Sequence, residues 1–126
     1  MRKKGTDYEI VVSEIAQGFN PKANVEQGKW VTGPDGRRDM DVTITGTINE
    51  EQKKILIECK DYNPNSTGKV GIEIVDALES KARDLSMDYS LICSNAGFTE
   101  NAIRKASRVG IGLISVIKKG IREYDI

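Results

Sequence analysis

Two carboxylates and a lysine near the middle of the chain have the types and the spacing of a metal-dependent hydrolytic site. Asp41 begins one predicted β-strand, and Glu58 and Lys60 end the next one. Facing residues of an antiparallel hairpin have residue numbers that add to a constant. A constant of 99 centres the turn on Asn49 and Glu50 and places Asp41 opposite Glu58. The spacing therefore predicts two carboxylates that meet across a hairpin.

Side-chain alternation predicts that all three groups share one face of the sheet. Glu58 and Lys60 are two residues apart and point the same way, as does Asp41 opposite Glu58. Two carboxylates at cross-strand distance repel each other unless a cation lies between them, and Mg²⁺ is held by one or two carboxylates with water and substrate phosphates. The group therefore predicts metal-assisted phosphodiester hydrolysis, in which Lys60 orients water or stabilises charge on the phosphate. The simpler alternative is a structural Glu58–Lys60 ion pair beside which Asp41 lies by chance.

Composition excludes several other chemistries. The 126 residues include no histidine, which excludes Ser-His-Asp and Cys-His catalysis and every His-containing zinc site. Lys plus Arg and Asp plus Glu both total 19, and this balance neither favours nor excludes nucleic-acid binding. No secretion signal and no apolar run long enough to cross a bilayer is present, so Cys59 and Cys93 are expected to be reduced thiols in a cytoplasmic protein.

The elements that must position these residues are predicted in the order α, β, β, β, α, β, α, β. Apolar residues at helical spacing predict helices, and alternating or continuous apolar runs predict strands. The predicted helices cover 6–17, 70–85 and 99–109, and the predicted strands cover 25–30, 41–48, 55–60, 89–93 and 111–116. A hairpin followed by a β-α-β-α-β run predicts a single α/β domain over residues 1–126, with a mixed sheet flanked by helices on both faces.

The motif residues resemble the D…(D/E)-x-K signature of the PD-(D/E)XK nuclease superfamily. Asp41 followed by 58–60 (ECK) has that signature, and 38–42 (RDMDV) is similar to its R-x-x-D-V form. The segments 94–99 (SNAGFT) and 110–114 (GIGLI), in this order, resemble the Mrr-like restriction endonuclease branch. The resemblance implies a restriction-endonuclease-like fold and a Mg²⁺-dependent DNA endonuclease of the restriction type, with Mn²⁺ able to replace Mg²⁺.

The resemblance also implies a role for each motif residue. Asp41 and Glu58 would be metal ligands, the Cys59 carbonyl would be a backbone ligand, and Lys60 would be the catalytic lysine. Many Mrr-like proteins have Gln in place of Glu58, so this chain carries the more general form of the superfamily motif.

Family members often carry a glutamate on the first helix that reaches the site. Tyr8-Glu9 resembles the aromatic–Glu pair found there, so Glu9 is the preferred residue and Glu14 is the alternative.

DNA is the expected partner, and its phosphates are expected to meet basic residues beside the site. Arg37, Arg38 and Lys69 are predicted to make these contacts, because arginine in particular matches phosphate oxygens; solvated turn residues are the alternative. A homodimer is expected, since one small domain does not easily cut both strands of a duplex.

Two further functions stay open. One is a structure-selective nuclease similar to Holliday-junction resolvases, which the opening 3–5 (KKG) resembles; the other is a non-catalytic DNA-binding or assembly domain that keeps the fold.

Overall fold

Helices and strands alternate along the described parts of the chain as the sequence predicts. The computed structural model describes residues 7–62 and 68–116, so the segment 3–5 (KKG) lies outside it. The elements are α1 (Asp7–Phe19), β1 (Asn24–Gly33), β2 (Gly36–Ile48), β3 (Glu51–Lys60), α2 (Ile72–Asp84), β4 (Tyr89–Ser94), α3 (Glu100–Val109) and β5 (Gly112–Ser115). The predicted order of elements is confirmed.

The five strands form one mixed sheet in the order β1-β2-β3-β4-β5. β1, β2 and β3 are antiparallel neighbours, whereas β3, β4 and β5 are parallel. Val42 pairs with Ile57, so the predicted register of the β2–β3 hairpin is confirmed. Its turn falls on Asn49 and Glu50, which have φ angles of 51° and 68°. This register fixes which residues meet at the other end of the hairpin.

Helices cover both faces of the sheet. α1 lies on one face, and α2 and α3 lie on the other, each over its own hydrophobic cluster. The α1 cluster includes Tyr8, Val12, Val42, Ile57 and Cys93, and the α2/α3 cluster includes Leu56, Val75, Leu78, Ile92 and Ala102. Neighbouring residues of β3 therefore enter opposite clusters, as strand alternation requires. Within the described ranges, none of the helices is long and apolar enough to cross a membrane.

Strands β1 and β2 continue past the end of β3 and form a two-stranded extension, residues 28–41, that we call the arm. The β2–β3 pairing ends at Val42, whereas the β1–β2 pairing continues to Gly36. At the base of the arm, Gly28 lies between the paired residues Gln27 and Lys29 and has a φ of 66°, a conformation that glycine adopts readily. Met40 packs in the α2/α3 cluster although Val42 packs in the α1 cluster. The arm thus turns toward α2 at the position of Asp41.

Candidate active site

Asp41 lies where β2 and β3 separate, and we call this opening the fork. Val42 and Ile57 form the last pair of the β2–β3 ladder, so the next facing positions belong to Asp41 and Glu58. The Asp41 side chain is buried, and its Oδ2 accepts a hydrogen bond of 2.8 Å from the Cys59 backbone N–H. This hydrogen bond gives the Cys59 N–H of β3 an acceptor at the fork, and it holds the Asp41 carboxylate beside Glu58.

Glu58 lies between two lysines, one from its own strand and one from α2. Lys60 Nζ is 3.9 Å from Glu58 Oε2, and Lys81 Nζ is 3.3 Å from Glu58 Oε1. Lys81 also donates a hydrogen bond of 3.0 Å to the Asp39 carbonyl and lies 3.5 Å from Asp39 Oδ1. The structure therefore brings Asp41, Glu58 and Lys60 together and adds a second cation to them.

Burial and the carboxylate of Asp41 raise the pKa of Glu58 from 4.5 to about 7, while Lys81 and Lys60 act in the opposite direction. A carboxyl with this pKa is only partly ionised near neutral pH, because burial and the neighbouring charge of Asp41 both disfavour its ionised form. A cation placed between the two carboxylates would remove the repulsion that retains the proton. The electrostatics of the fork thus favour a positively charged occupant.

The thiol of Cys59 lies on the α1 side of the sheet. Burial, followed by Asp41, Cys93 and Glu9, raises the pKa of this thiol far above its usual range. The thiol is therefore neutral at physiological pH, and only its carbonyl stays a candidate metal ligand. Both Cys59 and Cys93 are free thiols.

Glu9 approaches the site from α1, and Glu14 does not. Glu9 is buried on the side of the helix that faces the sheet, close enough to contribute to the pKa of Cys59. Glu14 is exposed to solvent one turn and a half further along the helix. Of the two glutamates considered from the sequence, the structure brings Glu9 toward the fork.

The three predicted phosphate-binding residues lie in different environments. Arg37 is exposed on the arm, with its guanidinium 5.0 Å from the ring centre of Trp30. Arg38 forms an ion pair of 2.7 Å with Asp84 of α2, which fastens the arm to that helix. Lys69 is exposed just before α2. Arg37 and Lys69 are thus oriented to solvent, whereas Arg38 already has a structural partner.

Lys81 is the site residue that the sequence analysis did not identify. Val75, Leu78 and Lys81 are the buried residues of α2, so the lysine occupies a position on the apolar stripe of the helix. Long charged side chains are almost never buried unless they are paired. A lysine on the buried stripe is therefore the signal that would have predicted an acidic partner beneath the helix.

The residues at the fork fit a hard divalent cation. Among the described residues, no group of three or more His, Cys, Asp and Glu side chains has the geometry of a metal cluster. Mg²⁺ does not require such a cluster, because it keeps several waters and binds through one or two carboxylates plus substrate phosphates. Asp41 and Glu58 provide these two carboxylates, and their mutual repulsion is what such an ion would relieve.

Comparison with known proteins identifies a family for almost the whole chain. The family model Mrr_cat, described as a restriction endonuclease, matches residues 2–118. No curated protein matches the chain with significant similarity.

Solved structures share the fold at low sequence identity. AF1548, a protein of unknown function, superposes with a TM-score of 0.72 at 20% identity, over 85% of this chain and 55% of its own. The DNA modification-dependent restriction endonuclease AspBHI has a TM-score of 0.54 at 16% identity, over 93% of this chain and 34% of its own. The MspJI restriction endonuclease, solved in complex with a 27-mer oligonucleotide, has a TM-score of 0.56 at 18% identity, over 86% of this chain and 25% of its own. This chain thus spans about half of AF1548 and about a third or less of the two nucleases.

Proposed function

Since the chain belongs to the Mrr_cat family of restriction endonucleases, we propose that it is a Mg²⁺-dependent DNA endonuclease that hydrolyses phosphodiester bonds at the fork. The observation that carries the proposal is the placement of Asp41 beside Glu58 with Lys60 on the same carboxylate. This arrangement combines paired acidic ligands with a cation, which are the parts that metal-assisted phosphoryl transfer needs.

Each residue of the fork has a distinct role in the proposed reaction. Asp41, Glu58 and the Cys59 carbonyl would hold Mg²⁺, or Mn²⁺ in its place. Such an ion polarises a phosphoryl oxygen and lowers the pKa of water. Lys60 stabilises the negative charge that develops on the phosphate, and Glu9 adds a further acidic group from the α1 side. The Asp41–Cys59 hydrogen bond preorganises the first ligand before any ion arrives.

The partner is proposed to be DNA, with the strand running along the arm past the fork. Arg37 and Lys69 are the exposed cations suited to contact its phosphates, with Arg38 close by on the arm. We propose a homodimer, because two copies of a single domain over 1–126 would place two such sites on a duplex. We also propose a cytoplasmic location, with which the free thiols of Cys59 and Cys93 agree.

Cleavage of a DNA panel tests this function. Purified protein is incubated with supercoiled plasmid, methylated plasmid, branched DNA and single strands, with Mg²⁺, with Mn²⁺ or with EDTA. We expect metal-dependent nicking or linearisation of duplex DNA. Selective cleavage of the branched substrate would favour the structure-selective alternative. Metal-independent binding of DNA without cleavage of any substrate would contradict the proposed enzymatic activity and favour a non-catalytic DNA-binding domain.

A further inference from the structure

The two oxygen atoms of the Glu58 carboxylate have different surroundings. Lys81 Nζ lies 3.3 Å from Oε1, whereas Lys60 Nζ lies 3.9 Å from Oε2. The Lys81 side chain is 10% exposed, and that of Lys60 is 28% exposed. Oε1 therefore has the nearer and more deeply buried cation as its partner. Oε2 is the oxygen that a metal ion can take with the smaller disturbance of the ion pairs of the protein.

Lys81 is held in place by contacts other than the one with Glu58. It donates a hydrogen bond of 3.0 Å to the Asp39 carbonyl and lies 3.5 Å from Asp39 Oδ1. Its stem comes from the stripe of buried residues on α2 that includes Val75 and Leu78. A lysine this deeply buried needs its partners, so the ammonium stays where these contacts fix it. An ion that arrives at the fork thus meets a carboxylate whose Oε1 is already occupied.

Calcium and magnesium differ in the number of carboxylate oxygens that they take. Ca²⁺ accepts about six to eight oxygen ligands and binds carboxylates through one oxygen or both. Mg²⁺ requires near-octahedral geometry and keeps several waters. A glutamate that offers one oxygen therefore suits Mg²⁺, and a glutamate that offers both oxygens favours Ca²⁺.

We infer that Lys81 sets the metal selectivity of the fork: by holding Oε1, it makes Glu58 a one-oxygen ligand and disfavours Ca²⁺ relative to Mg²⁺. The inference rests on the proposed function, because it takes the ion to lie at Asp41 and Glu58. It goes further in naming a residue that determines which ion is bound without being a ligand. Lys81 is thus a positioning residue that acts through Glu58.

Glu9 is the other buried acidic residue that can supply oxygens to an ion at the fork. It comes from α1, which lies on the face of the sheet opposite to α2, and is close enough to contribute to the pKa of Cys59. Lys81 contacts Asp39 and Glu58 from the α2 side. Removing Lys81 therefore changes the oxygens available from Glu58 and leaves those of Glu9 unchanged.

Lys105 of α3 provides a matched control for Lys81. Its Nζ lies 3.2 Å from Glu79 Oε1 and 3.6 Å from Asp76 Oδ1, so it also holds carboxylates. Glu79 and Asp76 belong to α2 and not to the strands of the fork. Lys105→Met removes comparable ion pairs without changing the oxygens that Glu58 offers.

Competition between ions tests the inference. Mn²⁺ is bound to wild type, Lys81→Met, Lys81→Arg and Lys105→Met, and its displacement by Mg²⁺ or by Ca²⁺ is followed by electron paramagnetic resonance. The readout is the ratio of the two affinities, because the charge lost with Lys81 acts equally on both divalent ions. We expect Lys81→Met to shift the ratio toward Ca²⁺ by about tenfold. Lys81→Arg, which keeps a cation for Oε1, and Lys105→Met should keep the wild-type ratio, and the shift should persist in a Glu9→Gln background.

The outcomes separate the inference from the proposed function. Circular dichroism verifies that each variant is folded. A wild-type ratio in folded Lys81→Met would overturn the inference and leave the proposed nuclease intact. Loss of the shift in the Glu9→Gln background would assign the selectivity to Glu9 and would also overturn it. Failure of Mn²⁺ to bind wild type would contradict the proposed metal site, and the inference with it.

Wild type provides a second measurement that does not depend on the folding of any Lys81 variant. Carboxylate stretching bands differ between binding through one oxygen and binding through two, and the infrared difference between wild type and Glu58→Gln isolates the bands of this residue. We expect Glu58 in wild type to bind Ca²⁺ through one oxygen. Binding of Ca²⁺ through both oxygens would overturn the inference.

Discussion

Strand β3 carries the same Glu-x-Lys spacing at both of its ends, and only one of the two has the surroundings of a catalytic site. At the turn end, Lys53 Nζ lies 3.0 Å from Glu51 Oε2; at the fork end, Lys60 Nζ lies 3.9 Å from Glu58 Oε2. The Glu51 side chain is 72% exposed, whereas that of Glu58 is 13% exposed. The shorter of the two ion pairs, between Lys53 and Glu51, is therefore the one with the solvent-exposed glutamate.

The neighbours of each glutamate explain the difference. Glu51 pairs with Ile48 beside the hairpin turn, where solvent screens its charge. Glu58 adjoins a second carboxylate, that of Asp41, and lies beneath α2. Glu-x-Lys spacing therefore does not define a nuclease site by itself. The opposed carboxylate and the burial under a helix distinguish the fork from the turn.

Removing Asp41 should have the largest effect. Asp41→Ala deletes one of the two carboxylates among the proposed metal ligands and leaves a hard cation with a single carboxylate, so both metal binding and DNA cleavage should be lost. Glu51→Ala at the turn end should retain both. Calorimetric titration with Mn²⁺ beside a plasmid-nicking assay measures the two properties. If Asp41→Ala protein still binds Mn²⁺ with wild-type affinity, the metal site does not lie at the fork.

Neutralising Glu58 should stabilise the metal-free protein at alkaline pH. The pKa of Glu58 is raised to about 7 in the folded state, so its contribution to stability is complete below pH 4.5 and is lost as the pH rises through 7. Glu58→Gln should therefore raise the free energy of unfolding by about 1–3 kcal/mol at pH 8 and change it little at pH 4.

Urea unfolding in EDTA at the two pH values measures this effect. Glu51→Gln, which changes a solvated side chain, should shift the free energy of unfolding by less than about 0.5 kcal/mol at either pH. A Glu58→Gln variant that is less stable than wild type at pH 8 would argue against the electrostatic description of the fork.

Removing the two exposed cations that are proposed to contact DNA phosphates should have the smallest effect. Arg37→Gln with Lys69→Gln should weaken DNA binding for all sequences and lower the salt slope by about 0.9 for each lost phosphate contact. Lys54→Gln, near the turn end, is the control and should leave the slope unchanged. Trp30 is the only tryptophan of the sequence and contacts Arg37, so its fluorescence in an Asp41→Asn background reports binding at the arm. An unchanged slope in the double variant would place the DNA elsewhere.

The hairpin that carries the site could be predicted because its sequence signals agree. Period-two alternation, a polar turn and a constant residue sum all select the pairing of Val42 with Ile57, and the structure has that pairing. The same signals are weak for the arm. Residues 36–40 are mostly polar or charged and pair only with β1, so alternation predicts β2 from Asp41 although it begins at Gly36.

The second lysine of the site could be predicted only in part. Its place on the apolar stripe of α2 indicates that Lys81 is buried and paired. Its partners could not be predicted, because Asp39 lies on the arm and Glu58 on β3, and only the tertiary packing of α2 brings the lysine to both of them. Tertiary packing of this kind leaves no periodic signal in the strands.

We expect Lys60 at the fork to be catalytic and Lys53 at the turn not to be, and one paired measurement distinguishes the two lysines. Wild type, Lys60→Ala and Lys53→Ala are assayed for plasmid nicking in Mg²⁺ under identical conditions, after Mn²⁺ titration has confirmed metal binding in each. We expect Lys60→Ala to keep the metal but to nick about a hundredfold to a thousandfold more slowly, while Lys53→Ala nicks at the wild-type rate. Equal nicking rates in Lys60→Ala and wild type would show that Lys60 is not catalytic.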